Sequence, residues 1–207
     1  MINSIISMEK TIPYSNINNG RTSYTLVAFL SDQTQTQLSG LLNALVSELH
    51  HELITLPTTT LHITLSEMYQ FEQNDKLQIL TSAQKDNEYI EKIANSLRNT
   101  DAFNVSFNTI HAKPASITIS GDDDGSFHTI RTKLIKNLSA TDKPLTPPRI
   151  IHSSISRYAK AIPLERIQDV TDKHSVNVIE QVRKFQLVRM NLHPNFEYEV
   201  IQTFELH

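Results

Sequence analysis

Apolar and polar positions along this chain recur with two periods, and their alternation predicts a mixed sequence of strands and helices. Tyr24 to Leu30 is a compact apolar run of strand length. Ser31 and Asp32 follow as helix N-cap candidates. Leu38, Leu41, Leu42, Leu45, Val46 and Leu49 then recur at helical spacing and predict a helix ending near His51. Pro57 and three threonines read as a turn, and Leu61 to Met68 alternates as a strand with one buried face does. Gln70 to Asp86 is polar, and Glu88 to Leu97 reads as a helix. Phe103, Val105 and Phe107 alternate with Asn104, Ser106 and Asn108, which predicts a strand over Phe103 to Ile110. Pro114 breaks the chain before a strand at Ser116 to Ser120, and Gly121 to Gly125 (GDDDG) reads as a tight hairpin turn. Ser126 to Leu138 is predicted helical, with Phe127, Ile130, Leu134, Ile135 and Leu138 on one face. Pro144, Pro147 and Pro148 mark a loop before a strand at Arg149 to Tyr158. Pro163 to Val170 suggests a helix with proline in its first turn, and Lys184 to Leu192 and Glu197 to Leu206 close the chain as strands.

The two halves share the order strand, helix, strand, and the last strand of each carries a histidine, His62 or His152. This is a weak internal repeat. It suggests that residues 23–207 hold two similar halves, or lobes. Residues 1–22 are set apart as a polar N-terminal arm, loosely docked at most, because Tyr14 to Gly20 carries little periodicity.

Composition narrows the chemistry. The 207 residues, 39% apolar and 20% charged, suit a folded chain of this size. There is no cysteine, which excludes disulfides, thiolate nucleophiles and thiolate zinc sites. The four glycines form neither a phosphate-binding P-loop nor a dinucleotide fingerprint. A net charge of -3 argues against broad binding to duplex DNA. No apolar run has the length of a membrane span, and no signal peptide is read at the start, so a cytoplasmic location is expected. Histidine, with nine copies, is left as the residue with chemistry to offer.

His62-Ile63-Thr64 and His152-Ser153-Ser154 both fit the pattern His-x-Thr/Ser. The pattern alone decides nothing: 39 of 207 residues are Ser or Thr, so nine histidines give about two matches by chance, the number observed. Placement is what counts. In a strand, residues i and i+2 share a face, so each imidazole has a hydroxyl beside it. If the lobes face each other, two imidazoles and two hydroxyls meet across a cleft. Phosphodiester hydrolysis uses such a set. A neutral imidazole can deprotonate water, a protonated one can supply the leaving oxygen with a proton, and hydroxyls can bond the non-bridging phosphoryl oxygens.

Leu61-His62-Ile63-Thr64-Leu65, together with Ile151-His152-Ser153-Ser154-Ile155-Ser156-Arg157, resembles the paired signature of the 2H phosphoesterase superfamily. That superfamily includes 2′-5′ RNA ligase-like proteins, RNA cyclic phosphodiesterases, 2′,5′-oligoadenylate-degrading enzymes and RNA-trimming exoribonucleases. The resemblance implies one bilobal α+β domain over residues 23–207, with two pseudo-symmetric lobes (roughly 23–112 and 113–207, strands possibly exchanged between them) and antiparallel sheets around a central cleft. It implies catalytic roles for His62 and His152 and phosphate-binding hydroxyls at Thr64 and Ser154. The two-histidine chemistry requires no metal, and no cofactor is expected. Arg157 matches an arginine common after the second motif and is a candidate phosphate contact. Tyr158 is a candidate for stacking on a base, as are Tyr24 and Phe29, although packing accounts for all three as well.

The expected function is therefore a metal-independent phosphodiesterase acting on a nucleotide or RNA end: a 2′,3′-cyclic phosphate, or a 2′,5′-linked or cyclic oligonucleotide. Two alternatives stay open, a 3′-5′ exoribonuclease working through a 2′,3′-cyclic phosphate and a non-catalytic RNA- or nucleotide-binding module. Other clusters read as structural. His50-His51-Glu52 is expected at a helix end and not around a metal, and Asp122 to Asp124 in a solvated turn. His128 and Arg131 could line the cleft, but surface positions are favoured, and His111, His174, His193 and His207 form no usable arrangement.

Overall fold

The computed structural model describes residues 9–17, 21–72, 90–138, 147–191 and 197–207. Of the sequence expectations, residues 1–8 and 18–20 of the arm, most of the polar segment after Gln70, the start of the helix expected at Glu88, Pro144 and His193 lie outside them.

Nine strands among the described residues form two antiparallel sheets. The first holds β1 (Arg21–Phe29), β3 (His62–Glu72), β8 (Lys184–Asn191) and β9 (Glu197–Glu205), in the order β3-β1-β8-β9. The second holds β2 (Leu53–Thr55), β4 (Phe103–Lys113), β5 (Ser116–Asp122), β6 (Ile151–Tyr158) and β7 (Val178–Val182), in the order β2-β6-β5-β4-β7. Each sheet carries one histidine strand: β3 with His62 and β6 with His152.

Four α-helices among the described residues pack with these sheets. They are α1 (Asp32–Leu49), α2 (residues 90–97), α3 (Ser126–Leu138) and α4 (Leu164–Thr171). Each half sends its main helix to the other half's sheet: α1 packs on β2, β7 and α4, whereas α3 packs on β3. Leu38, Leu42, Leu45 and Leu49 form the buried stripe of α1, and Phe127, Ile130, Leu134 and Leu138 that of α3. Phe103 of β4, Phe127 of α3 and Phe185 of β8 meet ring to ring, at centroid distances of 5.4 to 6.5 Å. The two lobes therefore share one continuous core. The α1 N-terminus is capped as its sequence predicts, Ser31 Oγ accepting from Thr34 N–H. Ser31 N–H and Oγ in turn donate to Oε2 of the buried Glu180 on β7, which fastens the helix to the second sheet. Among the described residues no helix is long and apolar enough to cross a membrane.

Strands cross the 112/113 division of the chain. β2 and the whole of β4 belong to the second sheet, and β8 and β9 to the first, because β4 forms a hairpin with β5 and β8 pairs with β1. The hairpin turn is Pro114-Ala115, not GDDDG. That stretch ends β5 and starts α3, with Asp123 accepting from the N–H groups of Gly125 and Phe127 and Asp124 from that of Ser126. Acidic groups there satisfy the open N–H groups of a helix start. Pro163 is the N-cap of α4 and not a residue of its first turn. Ile135, expected on the apolar face of α3, is 41% exposed, and Arg131 takes its place in the interior.

The arm is also more ordered than its polarity suggests. Thr11 N–H donates to the Ile162 carbonyl, Ile12 N–H donates to that of Pro114, and the Glu9 carbonyl accepts from Leu164 N–H. Pro13 bridges to Tyr158 on β6. Residues 9–17 lie along the second sheet, held by backbone bonds that a hydrophobicity pattern does not reveal.

Candidate active site

β3 and β6 carry their motifs in matching local geometry. Each strand has one extra residue three positions after its histidine. Leu65 stands unpaired between the pairs Leu26–Ser66 and Val27–Thr64, and Ile155 between Ile117–Ser156 and Thr118–Ser154. Such a bulge shifts the alternation of the strand by one. Before it, the histidine and the hydroxyl share the inner face. After it, the next inner residue is five positions past the histidine instead of four. Ser66 and Ser156 turn inward to burial, and Glu67 and Arg157 take their places at the cleft.

The result is one cavity of about 250 Å³ lined by His62, Thr64 and Glu67 from β3 and by His152, Ser154 and Arg157 from β6. Ser23 and Thr25 of β1, Met190 of β8, Glu197 of β9, and Tyr14 and Ile17 of the arm complete its walls. Phe29, paired with His62 across the ladder, meets that imidazole edge-on at 5.8 Å. Tyr198 of β9 packs on Phe29 at 4.6 Å, although its ladder partner Met190 sits beside Ser23 at the far end of β1. The first sheet is therefore strongly curled around the cleft.

The two histidines have the same fixing bond. His62 Nδ1 lies 2.7 Å from the Thr60 carbonyl, and His152 Nδ1 lies 3.4 Å from that of Ile150, in each case two residues earlier. A carbonyl oxygen can only accept, so the neutral rings carry their proton on Nδ1 and leave Nε2 for chemistry. Both imidazoles titrate below their ordinary 6.5. Burial is the main cause at each. At His62 the charges of Arg157 and His152 add to it, and at His152 those of Arg131, Arg157 and Lys113. The bonds to Thr60 and Ile150 oppose the shift without cancelling it.

Arg157 is the cation of the cavity. Its Nη1 donates to the Ala115 carbonyl at 3.3 Å, and its buried Nε has no hydrogen-bond partner. No carboxylate among the described residues pairs with it. A largely buried guanidinium without a counter-ion favours an incoming anion. Arg131, expected at the surface, is 8% exposed and works from behind the site. Its Nε and Nη2 donate to the carbonyls of Leu65 and Thr64 at 3.1 and 2.9 Å, so it braces the bulge of β3.

The remaining candidates separate clearly. Tyr158 is fully buried with its hydroxyl donating to the Lys113 carbonyl, and Tyr24 is 2% exposed, so neither can stack on a ligand. The bulge explains Tyr158: it turns Arg157 to the cleft and its neighbour to the core. His111 does have an arrangement, its Nε2 lying 2.7 Å from Ser120 Oγ, and Ser120 faces His152 across the β5–β6 ladder. Glu52 forms ion pairs with Lys160 and Arg166. Glu48 pairs with Lys173 and His174. Among the described residues no group of three or more His, Cys, Asp or Glu is placed to hold a metal ion. A larger hollow of about 720 Å³, lined by His128, Arg131 and Arg149 among others, borders β5 and the start of β6 but contains neither motif histidine.

Sequence inspection missed Tyr14, Glu67 and Glu197. Glu67 had a signal, since it stands five residues after His62 as Arg157 does after His152. Tyr14 had none, because its place depends on backbone docking of the arm.

No family model matches the chain, and no curated protein matches it by sequence. Solved structures do match in fold. The protein TT0787 of Thermus thermophilus superposes with a TM-score of 0.62 at 16% identity, covering 89% of this chain and 97% of its own. A structure described as a phosphoesterase gives 0.63 at 9% identity, with 89% and 98% covered. E. coli LigT complexed with 3′-AMP gives 0.62 at 10% identity, with 90% and 98% covered. The chain therefore has the bilobal α+β fold of LigT-like structures, the fold that the resemblance to the 2H phosphoesterase superfamily implies.

Proposed function

We propose that this chain is a member of the 2H phosphoesterase superfamily and hydrolyses a phosphodiester at a nucleotide or RNA end, without a metal, by general acid/base catalysis from His62 and His152. The observation that carries the proposal is the meeting of two His-x-Thr/Ser strands around one cavity that also holds Arg157, which pairs with no carboxylate among the described residues. A cyclic phosphodiester is an anion of a size that such a cavity accepts, and Arg157 offers it a cation. LigT of E. coli, of the same fold, has been crystallised with 3′-AMP and with phosphate, which supports a ribose phosphate as the ligand class.

In the proposed reaction a neutral imidazole takes a proton from water through Nε2. The water oxygen bonds to phosphorus as the bond from phosphorus to one ribose oxygen breaks. The second histidine, protonated, gives its proton to that ribose oxygen. Thr64 and Ser154 hydroxyls and the Arg157 guanidinium bond the non-bridging oxygens, where charge builds up. The depressed histidines are matched to the first role in the free protein, because both are neutral at pH 7. An anionic phosphoryl group raises the pKa of the imidazole nearest to it and so prepares the second role.

The test is a mass-spectrometric screen of 2′,3′-cyclic, 2′,5′-linked and cyclic oligonucleotide substrates in the presence of EDTA. Conversion of a 2′,3′-cyclic phosphate to a monoester with incorporation of one water oxygen is the expected result. Binding without product across the whole panel would instead point to a ligand-binding module.

A further inference from the structure

The N-terminal arm brings an aromatic ring to the cavity. Thr11, 3% exposed, is its fastening point: its N–H donates to the Ile162 carbonyl, its Oγ1 accepts from Ile162 N–H at 2.8 Å, and the same hydroxyl donates to the Lys160 carbonyl at 3.2 Å. Pro13 then bridges to Tyr158, the chain neighbour of Arg157, and Tyr14 follows, 6% exposed and on the cavity wall with Arg157. A short 3-10 turn over Tyr14–Asn16 brings Ile17 to the same wall. Nothing in the two histidine motifs calls for this segment, yet it closes one side of the site.

We infer that Tyr14 is a positioning residue for Arg157, delivered by the docked arm, which keeps the guanidinium dehydrated and aimed at the phosphoryl group of the substrate. This rests on the reading that Arg157 receives phosphate. The physical basis is simple. A charge shielded from water by an aromatic wall is screened less by solvent and salt, so it holds an anion more tightly than an exposed arginine does. The wall also keeps the cavity near 250 Å³, at or below the lower end of the range of about 300–1,000 Å³ typical of ligand pockets, which suits a single nucleotide end. Burial raises the Tyr14 hydroxyl above its ordinary value, and the nearby Arg157 charge offsets part of that rise.

The probe is inorganic phosphate, titrated calorimetrically into the full chain at low and high ionic strength, alongside kinetics on a 2′,3′-cyclic nucleotide. Tyr14→Leu should weaken phosphate binding roughly tenfold, as expected for weakening one charge-assisted hydrogen bond, and raise KM by a similar factor with kcat little changed. Its phosphate affinity should also become more sensitive to salt than that of the wild type. Tyr14→Phe, which keeps the ring, should restore most of the affinity. Thr11→Val, three residues from the ring and outside the site, should loosen the arm and give the same signature more weakly. Should Tyr14→Leu not fold, Thr11→Val and Tyr14→Phe still decide. Phosphate affinity unchanged in Thr11→Val despite a lower Tm, or lost in Tyr14→Phe, overturns the inference, as does a wild type that binds no phosphate. The titration needs no turnover, so the outcomes separate. Phosphate binding that depends on Tyr14 in a protein without hydrolytic activity upholds the arm's role and refutes the catalytic reading. Turnover with phosphate affinity indifferent to Tyr14 does the reverse.

Discussion

At the scale of residues, the account rests first on His62, His152 and Arg157. Replacing His62 or His152 by Ala should each lower kcat by about 10²–10⁴, the usual worth of one positioned proton transfer, with the thermal melt retained. Arg157 has a different signature. Arg157→Lys keeps the charge and loses the planar fork, so KM should rise while phosphate still binds, and Arg157→Ala should lose more, as steady-state kinetics would show. The pH dependence follows from the direction of the histidine shifts. Both are depressed below 6.5, so both are neutral in the free protein at pH 7, whereas the reaction needs one protonated. As pH falls from 8, kcat/KM should therefore rise, peak on the acid side of 6.5, and fall once the second histidine is protonated. A peak in kcat/KM above pH 7.5 would contradict the assignment, because kcat/KM reports the free protein.

At the scale of elements, the two bulges are what turn strands into a site. Arg131→Met removes the donors to the Thr64 and Leu65 carbonyls, whose loss leaves buried acceptors unsatisfied at about 1–3 kcal/mol. Chemical denaturation should show that loss, and kcat should drop with it, since the motif strand loses its brace. Gly121 is a second element-level constraint. It lies between β4 and β6, and a Cβ there would stand 2.1 Å from the Ser106 carbonyl oxygen. Gly121→Ala should destabilise by about 1–3 kcal/mol or more by overpacking, measured by the urea midpoint. Much of this level was legible in the sequence. The periods of the apolar positions placed α3 to the residue and β1, α1, β3 and β6 to within four residues at their ends, and the strand alternation put His62 beside Thr64 and His152 beside Ser154. What the alternation could not show was its own interruption. A bulge has no composition signal here, so Arg157 and Tyr158 were both candidates for the cleft, and only Arg157 is there. β2, three residues long, and β7, five, were missed because short strands carry too few periods to register.

At the scale of the whole molecule, the lobes are interlocked and not merely adjacent. α1 and α3 cross to opposite sheets, β8 and β9 return to the first sheet, and the aromatic triangle of Phe103, Phe127 and Phe185 joins both sheets through α3. The order strand, helix, strand recurs along the chain, but the exchange is visible only in the sheets: β2 and β4 join the second, β8 and β9 the first. The interlocking implies that the two lobes unfold together. Urea unfolding followed by tyrosine fluorescence and by circular dichroism should give coincident transitions, and two separated steps would show independent lobes. The cleft between the interlocked lobes is where both histidines, the arm and Arg157 converge. The most direct test of that convergence is the turnover of a 2′,3′-cyclic nucleotide in EDTA by the wild type, His62→Ala and His152→Ala. The account predicts hydrolysis by the wild type and its loss in both variants, each with an unchanged melt; undiminished turnover in either variant would contradict it.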